Sequence, residues 1–261
     1  MIDNEQAALA LRAYRDVQIE MGLDPAPGQL VFPGLSESLE KMAGLPADTL
    51  LFGIAADGMP VLLRLRDPRP GPLLVIGERG CGKTDFLRGL LRASGRLARP
   101  SGTRFVVLSD YPADFDDIGP SEGLLGVFAA YEPEAADLLF ELACRVQNPP
   151  AEPPLVLLLD GLQSVLQMEP EACANLAFLL ENGPQALIWP VVTLNSGLAL
   201  RRPEWLAYFR TRIYGRIANP RAINELTPVP GAPLNSLFPG AQFCLRRNGG
   251  WLKFWLPSMA G

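Results

Sequence analysis

A short apolar run, Leu73-Leu74-Val75-Ile76, leads directly into Gly77-Glu78-Arg79-Gly80-Cys81-Gly82-Lys83-Thr84 and then into Asp85-Phe86-Leu87-Arg88-Gly89-Leu90-Leu91. A strand, a glycine-rich turn and a helix in that order constrain the chain more than any other feature. Glycines let the turn curl until successive N–H groups point inward. The helix that begins near Lys83 adds the positive end of its dipole. The resulting concavity suits the phosphate oxygens of a nucleoside triphosphate. Gly77, Glu78, Arg79, Gly80, Cys81, Gly82, Lys83, Thr84 and Asp85 are therefore the candidate nucleotide-binding residues. Lys83 is expected to reach the β- and γ-phosphates as a point charge, and the Thr84 hydroxyl to complete the shell of a Mg2+ ion. The chain has 23 basic residues, of which only Lys41, Lys83 and Lys253 are lysines. In so arginine-rich a protein, a lysine in this one slot points to a specific role.

With 261 residues, 48% of them hydrophobic, the chain can build one large domain or two small ones around an ample core. A net charge of −5 gives no overall attraction to a polyanion, although a local arginine stripe can still supply one. No apolar run approaches the roughly 20 residues of a membrane span, and no basic segment precedes an apolar one at the N-terminus, so a cytoplasmic location is expected. The absence of histidine removes imidazole acid–base chemistry and histidine metal ligands. Cys81, Cys144, Cys173 and Cys244 lack the close pairing of zinc sites and read as reduced core thiols. Cys81 has two readings. It fills space, or it is a thiolate favoured by Lys83 and the helix end, whose oxidation would block the nucleotide.

Along the chain, residues 4–20 read as a helix, followed by a Pro/Gly-containing stretch from Asp24 to Gly34. Runs at 49–55 and 60–66 around Asp57-Gly58 predict a β-hairpin. Strands and helices then alternate, which predicts a largely parallel sheet. The predicted elements are a strand over 105–109, helices over 134–147 and 170–182, and strands over 155–160, 186–193 and 211–217. Pro190 sits uneasily in a central strand. A closing hairpin is expected over 241–256 around Asn248-Gly249-Gly250.

The run Leu155-Val156-Leu157-Leu158-Leu159 is apolar on both faces and delivers Asp160 to the sheet edge where ligands of such folds collect. Asp160 is the expected magnesium partner of Thr84. Asn195 or Thr193, at the end of the next strand, is placed to contact the γ-phosphate or orient a water, or else serves a turn for purely local reasons. A separate strand at Phe105–Ser109, between the loop strand and the Asp160 strand, suggests the sheet order of ATPases with an additional catalytic strand.

Taken together, the loop with Phe86-Leu87-Arg88, the strand ending in Asp160, the polar strand end at Thr193–Ser196 and Thr211–Ile217 resemble the FtsK/HerA-like motor ATPases. These include the FtsK/SpoIIIE-type modules of type VII secretion systems. The two hairpins are similar in placement, so the resemblance spans roughly residues 49–256. It implies an α/β P-loop NTPase fold with a mostly parallel central sheet, helices on both faces and flanking β-hairpins. The domain is taken as residues 49–261, behind an N-terminal helical segment at 1–48. It also implies ATP and Mg2+ as ligands, a DNA or protein substrate, and a homo- or hetero-oligomer in which Arg201, Arg202, Arg212 or Arg216 reaches a neighbouring site. Active members carry a glutamate directly after the magnesium aspartate, where this chain has Gly161. Asp110 is the first candidate substitute, its alternative being a solvated strand end, and Gln163 the second. The expectation is an ATPase that drives or gates movement of a macromolecule with slow or partner-stimulated hydrolysis, or an ATP-holding module whose hydrolysis is lost. Lys83, Asp160, Asp110 and Asn195 are its candidate catalytic residues.

Overall fold

The computed structural model describes residues 48–97, 102–118, 123–148, 152–247 and 249–257. The helix expected over 4–20 and the stretch from Asp24 to Gly34 lie outside them. Strand β1 (Thr49–Ala55) turns at Asp57-Gly58 and returns as β2 (Pro60–Arg64), with Thr49 opposite Arg64 and Ile54 opposite Pro60. The Asp57 carboxylate accepts from the Met59 amide at 3.0 Å, so the residue that forms the turn also closes it.

The loop strand β3 (Leu73–Gly77) feeds α1 (Lys83–Leu97), which is followed by β4 (Arg104–Ser109) and β5 (Leu124–Ala129). Helix α2 (Pro133–Gln147) precedes β6 (Leu155–Asp160), and the short α3 (Leu162–Val165) precedes α4 (Pro170–Asn182). Strand β7 (Ile188–Asn195) leads to α5 (Ser196–Arg201), α6 (Pro203–Leu206) and β8 (Thr211–Tyr214). Helix α7 (Pro220–Leu226) and the hairpin β9 (Gln242–Arg247) and β10 (Gly250–Trp255) complete the order. Proline opens α2, α4, α6 and α7, where its missing N–H costs nothing and its fixed φ suits the first turn.

All ten strands form one sheet, in the order β2-β1-β10-β9-β8-β3-β7-β6-β4-β5. From β8 to β5 the neighbours are parallel, and from β8 to β2 they are antiparallel, so the two hairpins extend the sheet from one side. The strand that separates β3 from β6 is β7, while Phe105–Ser109 lies on the far side of β6. Pro190 is the third residue of β7, opposite Leu157 of β6. It is tolerated at the strand's beginning, because pairing with β3 starts one residue later at Leu73↔Val191. The strand begins two residues after its expected start because Gly183–Ala186 forms a 3-10 turn and Leu187 turns left-handed at φ 61°.

Alternating strand residues feed two cores. Leu74, Ile76, Leu157 and Leu159 face α2, α4 and α5, whereas Leu73, Val75, Val156 and Leu158 face α1 and the hairpins. On the second face Phe86 of α1, 1% exposed, lies 5.9 Å from Phe52 of β1, 5.3 Å from Phe243 of β9 and 6.5 Å from Phe254 of β10. This aromatic cluster ties the helix after the glycine turn to both hairpins. Replacing Phe86 by alanine is expected to destabilise the fold by about 3–5 kcal/mol, as judged by the midpoint and slope of denaturant unfolding.

Candidate functional site

The parallel register brings the carboxyl ends of β3, β7 and β6 into one row, ending in Gly77, Asn195 and Asp160. The glycine turn leaves β3 and curls over this row. Gly82 has φ 93°, and a Cβ there would lie 2.7 Å from Gly240 Cα, so both the backbone turn and the close approach require glycine. The Gly240 amide donates to the Cys81 carbonyl at 3.0 Å, which props the turn from the β9 side. On the β8 side, the Glu78 amide donates to the Arg216 carbonyl at 3.1 Å and the Glu78 carboxylate accepts from the Ala218 amide at 2.7 Å. Glu78 thus braces the loop, a role that sequence reasoning missed because its partner lies 140 residues away.

The amides of Arg79, Gly80 and Gly82 have no acceptor among the described residues, and the first amides of α1 lack intrahelical partners. A Cβ placed on Gly80 would meet nothing within 4 Å, so space stays open at the loop. Lys83 Nζ donates to the carbonyls of Glu78 at 2.8 Å and Gly77 at 3.3 Å. Among the described residues no carboxylate pairs with it directly. An anion at the loop would find unused amides and a cation without a direct ion pair, which fits a polyphosphate.

Asp160 is held at both oxygens. Thr84 Oγ1 donates to Oδ2 at 2.7 Å and Thr193 Oγ1 donates to Oδ1 at 2.8 Å. Burial pushes the Asp160 carboxyl above the ordinary range, against the two hydroxyls and Lys83, which pull it down. A half-buried carboxylate whose charge is penalised by burial, beside a threonine hydroxyl, is the oxygen-donor chemistry a divalent cation uses. Thr84 and Asp160 can supply one or two protein oxygens to a Mg2+ ion completed by phosphates and water. Asp85 lies in the first turn of α1, 3.5 Å from Arg88.

The remaining candidates separate. Asp110, just past β4, accepts from Ser164 Oγ at 2.6 Å, which joins it to α3 rather than leaving it a solvated strand end. Asn195 Oδ1 accepts from the Gly197 amide at 3.0 Å and caps α5, the local turn role. Gly161 turns at φ 109°, a conformation closed to side chains without strain, and leads Asp160 into α3. Among the arginines, Arg212 donates to the Leu206 carbonyl at 2.7 Å and Arg202 pairs with Glu204 at 3.6 Å. Arg201 is exposed, and the Arg216 backbone adjoins the loop.

No protein-family model matches the sequence, and no curated protein matches it. Solved structures match the fold. The Thermomonospora curvata secretion ATPase EccC (ATPases 2 and 3) in complex with a signal sequence peptide is similar at a TM-score of 0.65 and 17% identity, over 88% of this chain and 42% of that one. EssC (ATPases 2 and 3) from Geobacillus thermodenitrificans is similar at 0.64 and 15% identity, over 90% and 48%. The pCW3 conjugation coupling protein TcpA, in its monomer form with ATPγS, is similar at 0.62 and 12% identity, over 84% and 68%. The chain therefore spans less than half of each of the EccC and EssC chains. The expected α/β P-loop ATPase fold is the fold found.

The cysteines correct one expectation. Cys81 and Cys244 are buried, but Cys173 is half-buried and Cys144 is exposed on α2, so not all four are core thiols. Cys81 is 2% exposed, and a Cβ on Gly77 or Gly215 would overlap its sulfur. Burial pushes its thiol upward despite Lys83, which favours space filling over the thiolate reading. Timed alkylation read by mass spectrometry is expected to modify Cys144 rapidly and Cys81 only on unfolding.

Proposed function

We propose that this chain is an ATP-binding module of the FtsK/HerA-like P-loop type, which couples nucleotide binding and slow or partner-stimulated hydrolysis to movement of a protein or DNA cargo. The observation that carries this reading is the convergence of Lys83, held by backbone carbonyls with no direct ion pair among the described residues, open loop amides and the Thr84–Asp160 pair on one sheet edge. The loop amides would bind phosphate oxygens, and Lys83 Nζ would move from the Gly77 and Glu78 carbonyls to the β- and γ-phosphates. Thr84 and Asp160 would hold Mg2+, which when bound neutralises developing phosphate charge, while Thr193 keeps the Asp160 carboxylate oriented. The likeness to a secretion ATPase captured with a signal peptide and to a conjugation coupling protein supports a macromolecular cargo.

The proposed ATPase domain is residues 49–261, with 1–48 as a separate segment, working in the cytoplasm as a homo- or hetero-oligomer. Among the described residues no helix is long and apolar enough to cross a membrane. Arg212 and Arg202 are engaged within their own subunit, which leaves Arg201 and Arg216 as the arginines to test against a neighbour's γ-phosphate. A second reading, an ATP-holding module without turnover, is favoured by Gly161. There the bound nucleotide would stabilise an assembly by mass action, about 2.7 kcal/mol at a hundredfold excess over its dissociation constant.

Calorimetry with ATPγS and steady-state phosphate release test these readings. Lys83→Ala removes charge-assisted hydrogen bonds worth about 1.5–3 kcal/mol, so affinity is expected to fall roughly 10- to 150-fold. Unchanged affinity would remove the phosphate role. Phosphate release lost in both Lys83→Ala and Asp160→Asn identifies the motor, whereas nucleotide binding without release, even with cargo present, identifies the passive module. Gly161→Glu is expected to lower stability by about 1–3 kcal/mol without raising turnover, because φ 109° strains any side chain there. A faster, stable Gly161→Glu chain would contradict that account.

A further inference from the structure

One polar side chain beside Asp160 has no task in the site described so far. We propose that Gln163 orients the attacking water, in place of the glutamate that this chain lacks after Asp160. The inference rests on the ATP-site reading above and concerns which side chain completes it.

The geometry is local. Gly161 turns the chain so that α3 starts directly behind Asp160, and Gln163 lies in the first turn of that helix. Its Nε2 stands 2.8 Å, and its Cδ 3.3 Å, from the point where a Cβ on Gly161 would sit. The carboxamide thus lies where a side chain at position 161, in this backbone conformation, would leave the chain. Gln163 is half-buried, and its amide has no hydrogen-bond partner among the described residues. Its competitors are engaged. The Asp110 carboxylate accepts the Ser164 hydroxyl and Asn195 Oδ1 accepts the Gly197 amide. Because Ser164 follows Gln163 directly, Asp110 acts as a positioning residue that fixes the turn carrying the carboxamide.

A carboxamide offers an acceptor and two donors but is not a base. Its oxygen can accept from the water while its N–H groups donate to a γ-phosphate oxygen, the orienting role a glutamine performs in other phosphoryl-transfer sites. In the step, the water oxygen bonds to the γ-phosphorus and the bond from phosphorus to the β–γ bridging oxygen breaks. That electron pair leaves with ADP, and the water's proton passes to a phosphate oxygen and then to solvent. Orientation without proton abstraction gives slow hydrolysis.

The test compares the full wild-type chain with Gln163→Ala and Gln163→Glu. It measures melting temperature, ATPγS affinity, affinity for ADP with fluoroaluminate as a mimic of the transferring phosphoryl group, and phosphate release. Gln163→Ala is expected to melt as wild type and keep ATPγS affinity within about twofold, yet lose about 10²-fold in release and at least about tenfold in fluoroaluminate-complex affinity. Gln163→Glu is expected to retain release and add an acidic limb to its pH profile. Wild-type release and fluoroaluminate affinity in Gln163→Ala would overturn the proposal. So would a wild-type chain that binds ATPγS but neither releases phosphate nor holds ADP more tightly with fluoroaluminate. A wild-type chain that binds no ATPγS overturns the ATP-site reading, and this proposal with it.

Discussion

A carboxylate at the end of a buried strand, shared between two threonine hydroxyls, sets the geometry of the whole carboxyl edge. Thr84 approaches Asp160 from the first turn of α1 and Thr193 from the adjacent strand β7. Each bond needs its element in register. If β7 slipped by one residue, Thr193 would point to the opposite face of the sheet and one oxygen of Asp160 would lose its donor. Burial penalises the charge on Asp160, and two hydroxyls offset only part of that penalty. The remainder makes a cation favourable beside it. Packing and ligand chemistry are therefore coupled at this residue.

The hairpins account for much of what fixes the shape of the glycine turn. They contribute no side chain to Asp160, yet β1, β9 and β10 surround Phe86 of α1. At the other end, the Trp189 indole N–H of β7 donates to the Leu65 carbonyl just beyond β2, at 2.8 Å. Together with the Gly240–Cys81 and Glu78–Ala218 bonds, these contacts fix the turn from both sides. Most of the loop's preorganisation thus comes from residues far away in sequence.

That distribution accounts for what the sequence alone made legible. The strand, turn and helix around Lys83, and the doubly apolar strand ending in Asp160, were readable because each carries its signal within a few residues. Both hairpins were readable through the turn chemistry of Asp57-Gly58 and Asn248-Gly249-Gly250. The edge strand β5 was missed because Leu125 is exposed and Gly126 interrupts the run, so neither alternation nor a continuous apolar stretch survives. Helix α7 was missed although Asn219-Pro220 carries a start signal, an asparagine cap on the Arg221 amide followed by proline at the first helical position. Within the site, Asp160 with Thr84 could be paired from the motifs. The engagement of Asp110 with Ser164 depends on the order β6-β4 in space and left no local trace.

The missing glutamate is a backbone matter as much as a side-chain one. In a chain that had lost only the carboxylate, residue 161 would keep a conformation open to any side chain, and one substitution would restore the base. Here φ 109° carries the backbone into a region that disfavours a Cβ, and α3 starts at once behind Asp160. The space that a residue-161 side chain would enter is taken by Gln163, and Ser164 with Asp110 holds that helical turn in place. In this chain the conformation of residue 161 and the placement of the carboxamide go together. On the proposed reading, a group that can orient a water but cannot take its proton would give a site that holds nucleotide and turns it over slowly. Such a site suits a module whose bound state, rather than its rate, carries its function.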